Sequence, residues 1–443
     1  MIWRVEQSLI VGLVLFTRTA LATNCTTASV ASESDAETLR QSCQVITGDL
    51  TIGPFAQNTS TINLNLDGIT TVKGNIKHDF GSSEFWIEET PFTLTWSTLT
   101  KIGGSLVFGD DVCNMHNLTL PNLTTVGGSF SMGIWCSNLT YLDITSLEYV
   151  GDLEISGKNL KTLRHTKLSN ATGLWIYDNL LDSVDSLFNN PLNITAGAEI
   201  ETLPNVKNVT IGLRSVDRLN VYSNLTVILG GSSATEMSLG SVELADLTGL
   251  QRSSSLEKLT ANNITVEPSG SMPEIYLPFD DLRLVYIKEG SYSDVVTLRL
   301  PPKAVNWTGG FELSVYESPG LNLSSMYGVD DQGNSVQTWY WPTNVSSVGI
   351  YNAIIANSFF DTFVAQQNGS MNATGDTPST LSYFSLEATN RSHLDCTTFN
   401  NLQKMNRLPQ TEATFASTTG YYCESRGLHW DWWGGESENL RVV

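Results

Sequence analysis

The amino-acid sequence predicts a mainly β chain wound as a right-handed parallel β-solenoid, in two halves with disulfide-tied caps. Three observations carry this prediction. A glycine-led apolar phrase recurs every 20 to 30 residues, each phrase alternates with period two, and six cysteines fall at spacings that suit stacked coils.

Residues 1–22 read as a signal peptide: Arg4 lies near the start, an apolar run extends from Leu9 to Phe16, and Ala20-Leu21-Ala22 precedes Thr23. The run ends at Thr17-Arg18, well short of the roughly 20 apolar residues that a membrane helix needs. Its removal takes away Arg4, Arg18 and Glu6, so 22 basic and 44 acidic residues remain and the net charge is -22. That charge repels nucleic acid and anionic lipid. No later stretch is long and apolar enough to span a bilayer. The final residues, Gly435 to Val443, lack the apolar tail of a glycolipid-anchor signal. The expected location is secreted, at the cell surface or cell wall.

Residues 23–195 form the first predicted half. Cys25 and Cys43 bracket Ser34-Asp35-Ala36-Glu37, which reads as a capping box ahead of Leu39, so a short helix is expected to lid the first coil. The glycine phrases follow, as in Gly48-Asp49-Leu50-Thr51-Ile52 and Gly104-Ser105-Leu106-Val107-Phe108. Their first apolar positions are Leu50, Ile76, Leu106, Phe130, Leu153 and Leu174, separated by 26, 30, 24, 23 and 21 residues. Period-two alternation makes each phrase a strand with one buried face, and glycine permits the sharp turn before it. A second apolar phrase, such as Leu118-Thr119-Leu120, Leu142-Asp143-Ile144 or Leu160 to Leu163, supplies another strand per coil.

Residues 196–365 form the second half. The glycine cue fades there while the strand rhythm persists in Val209 to Ile211, Leu219 to Val221, Leu225 to Val227, Ile264 to Val266, Leu284 to Ile287 and Phe311 to Val315. Residues 366–395 are expected as a polar linker or loop, 396–423 as a disulfide-closed cap, and 424–443 as a tail. Six cysteines allow 15 pairings, and proximity favours Cys25 with Cys43, Cys113 with Cys136, and Cys396 with Cys423. The 23-residue spacing of the middle pair equals one coil, which puts the two at about 4.8 Å along the stack.

Sixteen Asn-x-Ser/Thr acceptors describe a glycoprotein: Asn24, Asn58, Asn117, Asn122, Asn138, Asn170, Asn193, Asn208, Asn224, Asn263, Asn306, Asn322, Asn344, Asn368, Asn372 and Asn390. Many open an alternating phrase, which places them at strand edges and predicts one sheet left free of glycans.

The order Cys25, helix, Cys43, Val45-Ile46-Thr47-Gly48-Asp49-Leu50-Thr51-Ile52 resembles the start of receptor L domains, the leucine-rich-repeat-like modules of insulin and epidermal growth factor receptors. With Leu99-Thr100-Lys101-Ile102-Gly103-Gly104 and Leu123-Thr124-Thr125-Val126-Gly127-Gly128, the chain is most similar to fungal cell-wall proteins of that fold. The resemblance implies a part in wall organisation and integrity. Members of that family usually end in a Ser-rich segment and an anchor signal, and neither is present here.

No motif with catalytic spacing is found, and no cofactor is implied. His78, His116, His165, His393 and His429 stand at no metal-ligand spacing and read as surface or loop residues. The acidic doublets Glu88-Glu89, Asp110-Asp111, Asp280-Asp281 and Asp330-Asp331 are candidates for a sugar-cleaving dyad, but adjacent strand residues face opposite ways. Calcium at Asp330 to Asn334 and sugar stacking on Trp430, Trp432 and Trp433 are weaker candidates. The expected function is therefore non-catalytic: a secreted glycoprotein holding wall polysaccharide or surface proteins. The alternatives are a polysaccharide-active β-helix hydrolase and a signalling ectodomain. A row of acidic and aromatic side chains along one sheet would favour the hydrolase, and a flat, glycan-free apolar face would favour protein binding.

Overall fold

The computed structural model describes the chain from Asn24 to Glu424, apart from internal segments of which the longest are 80–89, 109–113, 289–295, 330–334, 370–380 and 414–418. The signal segment 1–22, Cys113, the acceptors Asn58, Asn372 and Asn390, and residues 425–443 lie outside the described residues.

The chain is a parallel β-solenoid. One long sheet runs its whole length, and the predicted phrases pair within it in the predicted register. Leu50 faces Ile76, Ile76 faces Leu106, Leu106 faces Phe130, Phe130 faces Leu153, and Leu153 faces Leu174. The same column continues through Ala198, Leu219, Val242, Ile264, Val285, Leu313, Val348 and Phe384 to Tyr421. All these side chains are buried, so successive coils share one apolar core.

The opposite wall is built from shorter sheets. Ile62–Asn65, Phe92–Thr95, Met115–Thr119, Tyr141–Asp143 and Thr162–Arg164 form a five-stranded sheet, in which Leu118, Leu142 and Leu163 align. Further along, Asn208–Ile211, Thr226–Leu229 and Gly249–Arg252 form a three-stranded sheet.

In the early coils the long sheet bends at a corner, so each coil gives it two short strands, such as Lys101–Ile102 and Leu106–Phe108. At Gly127 the corner leaves no room for a side chain: a Cβ there would lie 2.2 Å from the Gly103 carbonyl oxygen. A polar ladder ties the corners together. The Asn75 amide donates to Asp49 Oδ1 (2.8 Å), the Ser105 amide to Asn75 Oδ1 (2.9 Å) and the Ser129 amide to Ser105 Oγ (3.1 Å). From Tyr149–Gly157 to Lys258–Pro268 the two pieces fuse into continuous strands of 9 to 12 residues, including Asn170–Asn179, Leu192–Glu201, Leu213–Tyr222 and Glu236–Leu247.

Three expectations need correction. The division at 195/196 falls inside Leu192–Glu201, which pairs with the coils on both sides, so the long sheet has no break there. The change of character lies in the opposite wall, between Arg164 and Asn208. Part of the expected linker 366–395 is a buried strand, Tyr383–Ala388, that extends the long sheet. Its apolar residues Phe384 and Leu386 are masked in a compositional reading by the Ser, Thr and Gly around them. The first helix is Glu33–Ser42, and its cap lies two residues before Ser34, the cap that the expected box implies. Ser32 is its N-cap, accepting from the Asp35 amide at 3.1 Å, while Asp35 accepts from the Ala31 amide at 3.1 Å.

That helix lies against Ala28–Val30 and Ile62–Asn65 and buries Ala36, covering the first coil. The disulfide Cys25–Cys43 holds it, with Cα atoms 5.8 Å apart. At the far end Cys396–Cys423, with Cα atoms 5.9 Å apart, ties the helix Thr397–Lys404 to the last strand, Gly420–Glu424. Cys136 is fully buried and disulfide-bonded. The last coils are filled by an aromatic cluster of Trp341, Phe359, Phe360, Phe363, Phe384 and Phe399. The Trp341 indole N–H donates to the Phe359 carbonyl at 2.7 Å, so the burial leaves no polar debt at that ring. Among the described residues no helix is long and apolar enough to cross a membrane.

Candidate functional site

The middle residue of each apolar-x-apolar phrase in the long sheet points outward, and register stacks these residues into a column. Ser131, Glu154, Trp175, Glu199, Asn220 and Glu243 follow one another in it. Two residues further along the fused strands lies a second column with Tyr177, Glu201 and Tyr222, the last two in direct register. The result is a field of aromatic rings and carboxylates on one face.

At its start an open depression of about 330 Å³ is lined by Ser129, Asp152, Glu154, Trp175 and Tyr177. Glu154 is held from two sides, by the Ser131 hydroxyl at 2.6 Å and by the Tyr177 hydroxyl. The Trp175 indole lies across Gly173, where an added Cβ would fall 2.1 Å from a ring carbon. A glycine at that position is thus what leaves the indole its space against the sheet. Burial first, and then the hydrogen bond to Glu154, push the Tyr177 phenol up to about 12.

The next coils hold the charges. Glu199 and Glu201 share a face of one strand and a hydrogen bond, which, with burial and the nearby Asp178, pushes Glu201 up to about 7. Lys288 Nζ contacts Glu243 Oε1 at 2.7 Å and holds that carboxyl below its usual range. Burial and the Glu243 hydrogen bond push Tyr222 up to about 12. Between Glu199 and Glu243 sits Asn220, only 9% exposed, whose carbonyl oxygen Oδ1 has no hydrogen-bond donor.

A second aromatic group closes the face near the C-terminal end. Tyr351 and Tyr383 flank Gly349, their hydroxyls hydrogen-bonded, and the Tyr316 ring meets that of Tyr351 edge-on at 6.3 Å. Burial, with Glu424 and Glu317 nearby, raises Glu387 beside them.

Thirteen of the sixteen glycosylation acceptors are described, and none is buried. Asn117 lies on the five-stranded sheet, Asn208 on the three-stranded one, and Asn170 and Asn193 face each other near the start of their strands. Asn263 flanks the central column, opposite Ser241, but from Ser131 to Tyr286 the column itself contains no acceptor.

Of the acidic doublets singled out from sequence for catalysis, only Asp280-Asp281 falls among the described residues. Asp280 pairs with Arg252 at 2.8 Å and accepts from the Leu259 amide, while Asp281 opens a strand opposite Thr260, so this doublet is structural. Glu88, Glu89, Asp110, Asp111, Asp330, Asp331, His429 and the tryptophans 430, 432 and 433 lie outside the described residues. Two histidines are not at the surface as expected. His78 is packed against Phe92 and Phe108, and burial lowers it to about 4. His165 is buried and accepts the Leu168 amide at Nε2 (2.9 Å), and desolvation lowers its pKa. Among the described residues no three His, Cys, Asp or Glu side chains converge on a metal position.

The acidic and aromatic row was legible only as the middle letter of each phrase, Leu153-Glu154-Ile155, Leu174-Trp175-Ile176, Ala198-Glu199-Ile200 and Val242-Glu243-Leu244. Reading those letters in register would have found it. Comparison of the chain with protein-family models, with curated proteins and with solved structures returns no match.

Proposed function

We infer that this chain is a secreted, N-glycosylated protein of the fungal cell surface that helps organise the wall by binding polysaccharide along its long sheet, without turnover. One observation carries the reading: the outward columns interleave aromatic rings with carboxylates, and the central column from Ser131 to Tyr286 has no glycan acceptor. Trp175 and Tyr177, which line one open depression with Glu154, suit the apolar faces of pyranose rings, and carboxylates accept from their hydroxyls. The sequence-level resemblance supplies the location.

The test is co-sedimentation of the purified glycoprotein with insoluble β-glucan, chitin and mannan. Retention on at least one polymer is expected, with a loss of about tenfold or more in the Trp175→Ala, Tyr177→Ala double variant, since base–ring stacking losses reach that size in comparable flat contacts. Retention unchanged in that variant would remove this face from the function. Cells lacking the gene should also become sensitive to wall-binding dyes.

The hydrolase reading has two favourable observations, the row of acidic and aromatic side chains along the long sheet and a carboxyl at about 7 in Glu201, which suits a general acid. Against it, two carboxyls in mutual hydrogen-bond contact leave no room for a glycosidic bond between them, because dyads stand about 5 to 9.5 Å apart. Release of soluble oligosaccharide by the wild type but not by Glu201→Gln would reverse the order of the two readings.

A further inference from the structure

The centre of the outward face is rich in acceptors and poor in donors. Glu199 and Glu201 are close enough to share a proton, and what shifts Glu201 is Glu199, burial and Asp178, with no cation among the causes. Beside them Asn220 stands in register between Glu199 and Glu243, and its side chain is nine-tenths buried with Oδ1 unsatisfied. A buried carbonyl without a donor is unfavourable, and a group that donates to it would be favoured. The cations nearest in register do not fill this role. Lys288 is held by Glu243, and Arg218 is exposed beside Gly197 in the flanking column. The other groups facing the pair are the phenols Tyr177 and Tyr222, both kept protonated by burial.

We propose that this face binds a polymer of amino sugars carrying free, protonated amines: the Glu199–Glu201 pair and the Asn220 carbonyl take the ammonium group, and Trp175 and Tyr177 stack on the adjoining sugar. The proposal rests on the polysaccharide reading above and names the sugar. An ammonium brings three donors and one positive charge to a place that offers a carboxyl pair sharing a proton, with one negative charge, and a carbonyl. A neutral glucan or an N-acetylated sugar brings hydroxyl or amide donors but no charge, and a polyuronate brings the wrong charge to a chain whose formal net charge is -21. The rings decide for a sugar over a lysine-rich peptide, because Trp175 and Tyr177 together line an open depression and offer ring area to a pyranose, while the carboxyl groups alone would suffice for lysine.

The experiment measures binding of the full glycoprotein, at mildly acidic pH, to a glucosamine oligomer, an N-acetylglucosamine oligomer and a neutral β-glucan oligomer. The glucosamine oligomer should bind about tenfold more tightly than either of the others, and the advantage should shrink at high salt. Glu199→Gln with Glu201→Gln should abolish the advantage while leaving the weaker binding of the other two sugars, which also shows that the double variant is folded. Asn220→Leu should reduce the advantage in part. Equal affinity for all three sugars would overturn this proposal and leave the polysaccharide reading in place. No binding to any of them, in a protein whose circular dichroism is intact, would overturn both. Displacement of the glucosamine oligomer by polylysine, with polylysine binding unaffected by Trp175→Ala, would make the face a peptide site and overturn the proposal.

Discussion

Up to Glu148 each coil folds the long sheet at a glycine corner, whereas from Tyr149 to Pro268 the same sheet passes that point as one strand. The two regions stack the same apolar column and differ in what happens beside it. The corner places backbone against backbone and ties the coils with Asp49, Asn75, Ser105 and Ser129, leaving a narrow outward face. Fusing the strands removes the corner before the apolar column, and the strands also run on after it, past Ile176, Ile200 and Val221. Tyr177, Glu201 and Tyr222 occupy that extension, so the second outward column arises in the same coils in which the corner is lost.

The most severe way to break this comparison is to crowd a corner. Gly127→Val should destabilise by more than about 3 kcal/mol in denaturant unfolding, because its Cβ would collide with a carbonyl that cannot move without shifting the coil below. Gly197→Ala, in the fused region, meets nothing nearer than 3.7 Å and should change stability by less than about 1 kcal/mol. Similar losses at both sites would mean that the corner is not the tight point.

The ends should be alike where the middles differ. Replacing either disulfide pair by serine should cost about 3 kcal/mol, and the sequence separations of 18 and 27 predict a difference of only ~0.4 kcal/mol between them. Thermal melts of the two variants check this, and a much larger loss at one end would show that its cap nucleates the stack.

Acid and alkali should then weaken opposite regions. His78 has its folded pKa lowered to about 4, so the unfolded chain binds its proton first and stability is lost as pH falls from 6.5 towards 4, by about 3 kcal/mol. Glu201 is raised to about 7, so the unfolded chain ionises first and stability is lost as pH rises from 4.5 to about 7. Hydrogen exchange followed across this range should show His78→Leu removing the acid response of the early coils and Glu201→Gln the opposing response of the later ones. An unchanged profile in both variants would refute the assignment. The smallest effect belongs to Asn220→Leu, which should be neutral or stabilising by up to about 1 kcal/mol in chemical unfolding, since it replaces an acceptor that has no donor.

What the sequence disclosed follows the same division. In the early coils the Gly-x-Leu phrase marks corner and strand together, so the register from Leu50 to Leu174 could be read by counting. Past Tyr149 the corner dissolves and its glycine is no longer required, which is why the cue fades while the alternation goes on. Tyr383–Ala388 escaped notice because its burial depends on Val348 and Ile350, some 35 residues earlier, and on Tyr421 after it. Likewise, Glu199 and Glu201 are an ordinary alternating pair in sequence, and only stacking beside Trp175 and Asn220 gives them a common setting. His78 and His165 look like isolated polar residues along the chain. Their burial comes from Phe92 and Phe108 in one case, and in the other the ring is enclosed where it meets the backbone of Leu147 and Leu168.

The unbroken long sheet also fixes how the molecule would respond to being stretched. Its strands lie across the stack, so the hydrogen bonds between neighbouring coils point along the direction of pull and are loaded one coil at a time. Cys25–Cys43 and Cys396–Cys423 each lock a terminal cap and do not bridge the middle coils. Tension applied at the two ends would therefore peel coils off in succession, at low force and over a long extension, and release would let them rewind from the coils still in place.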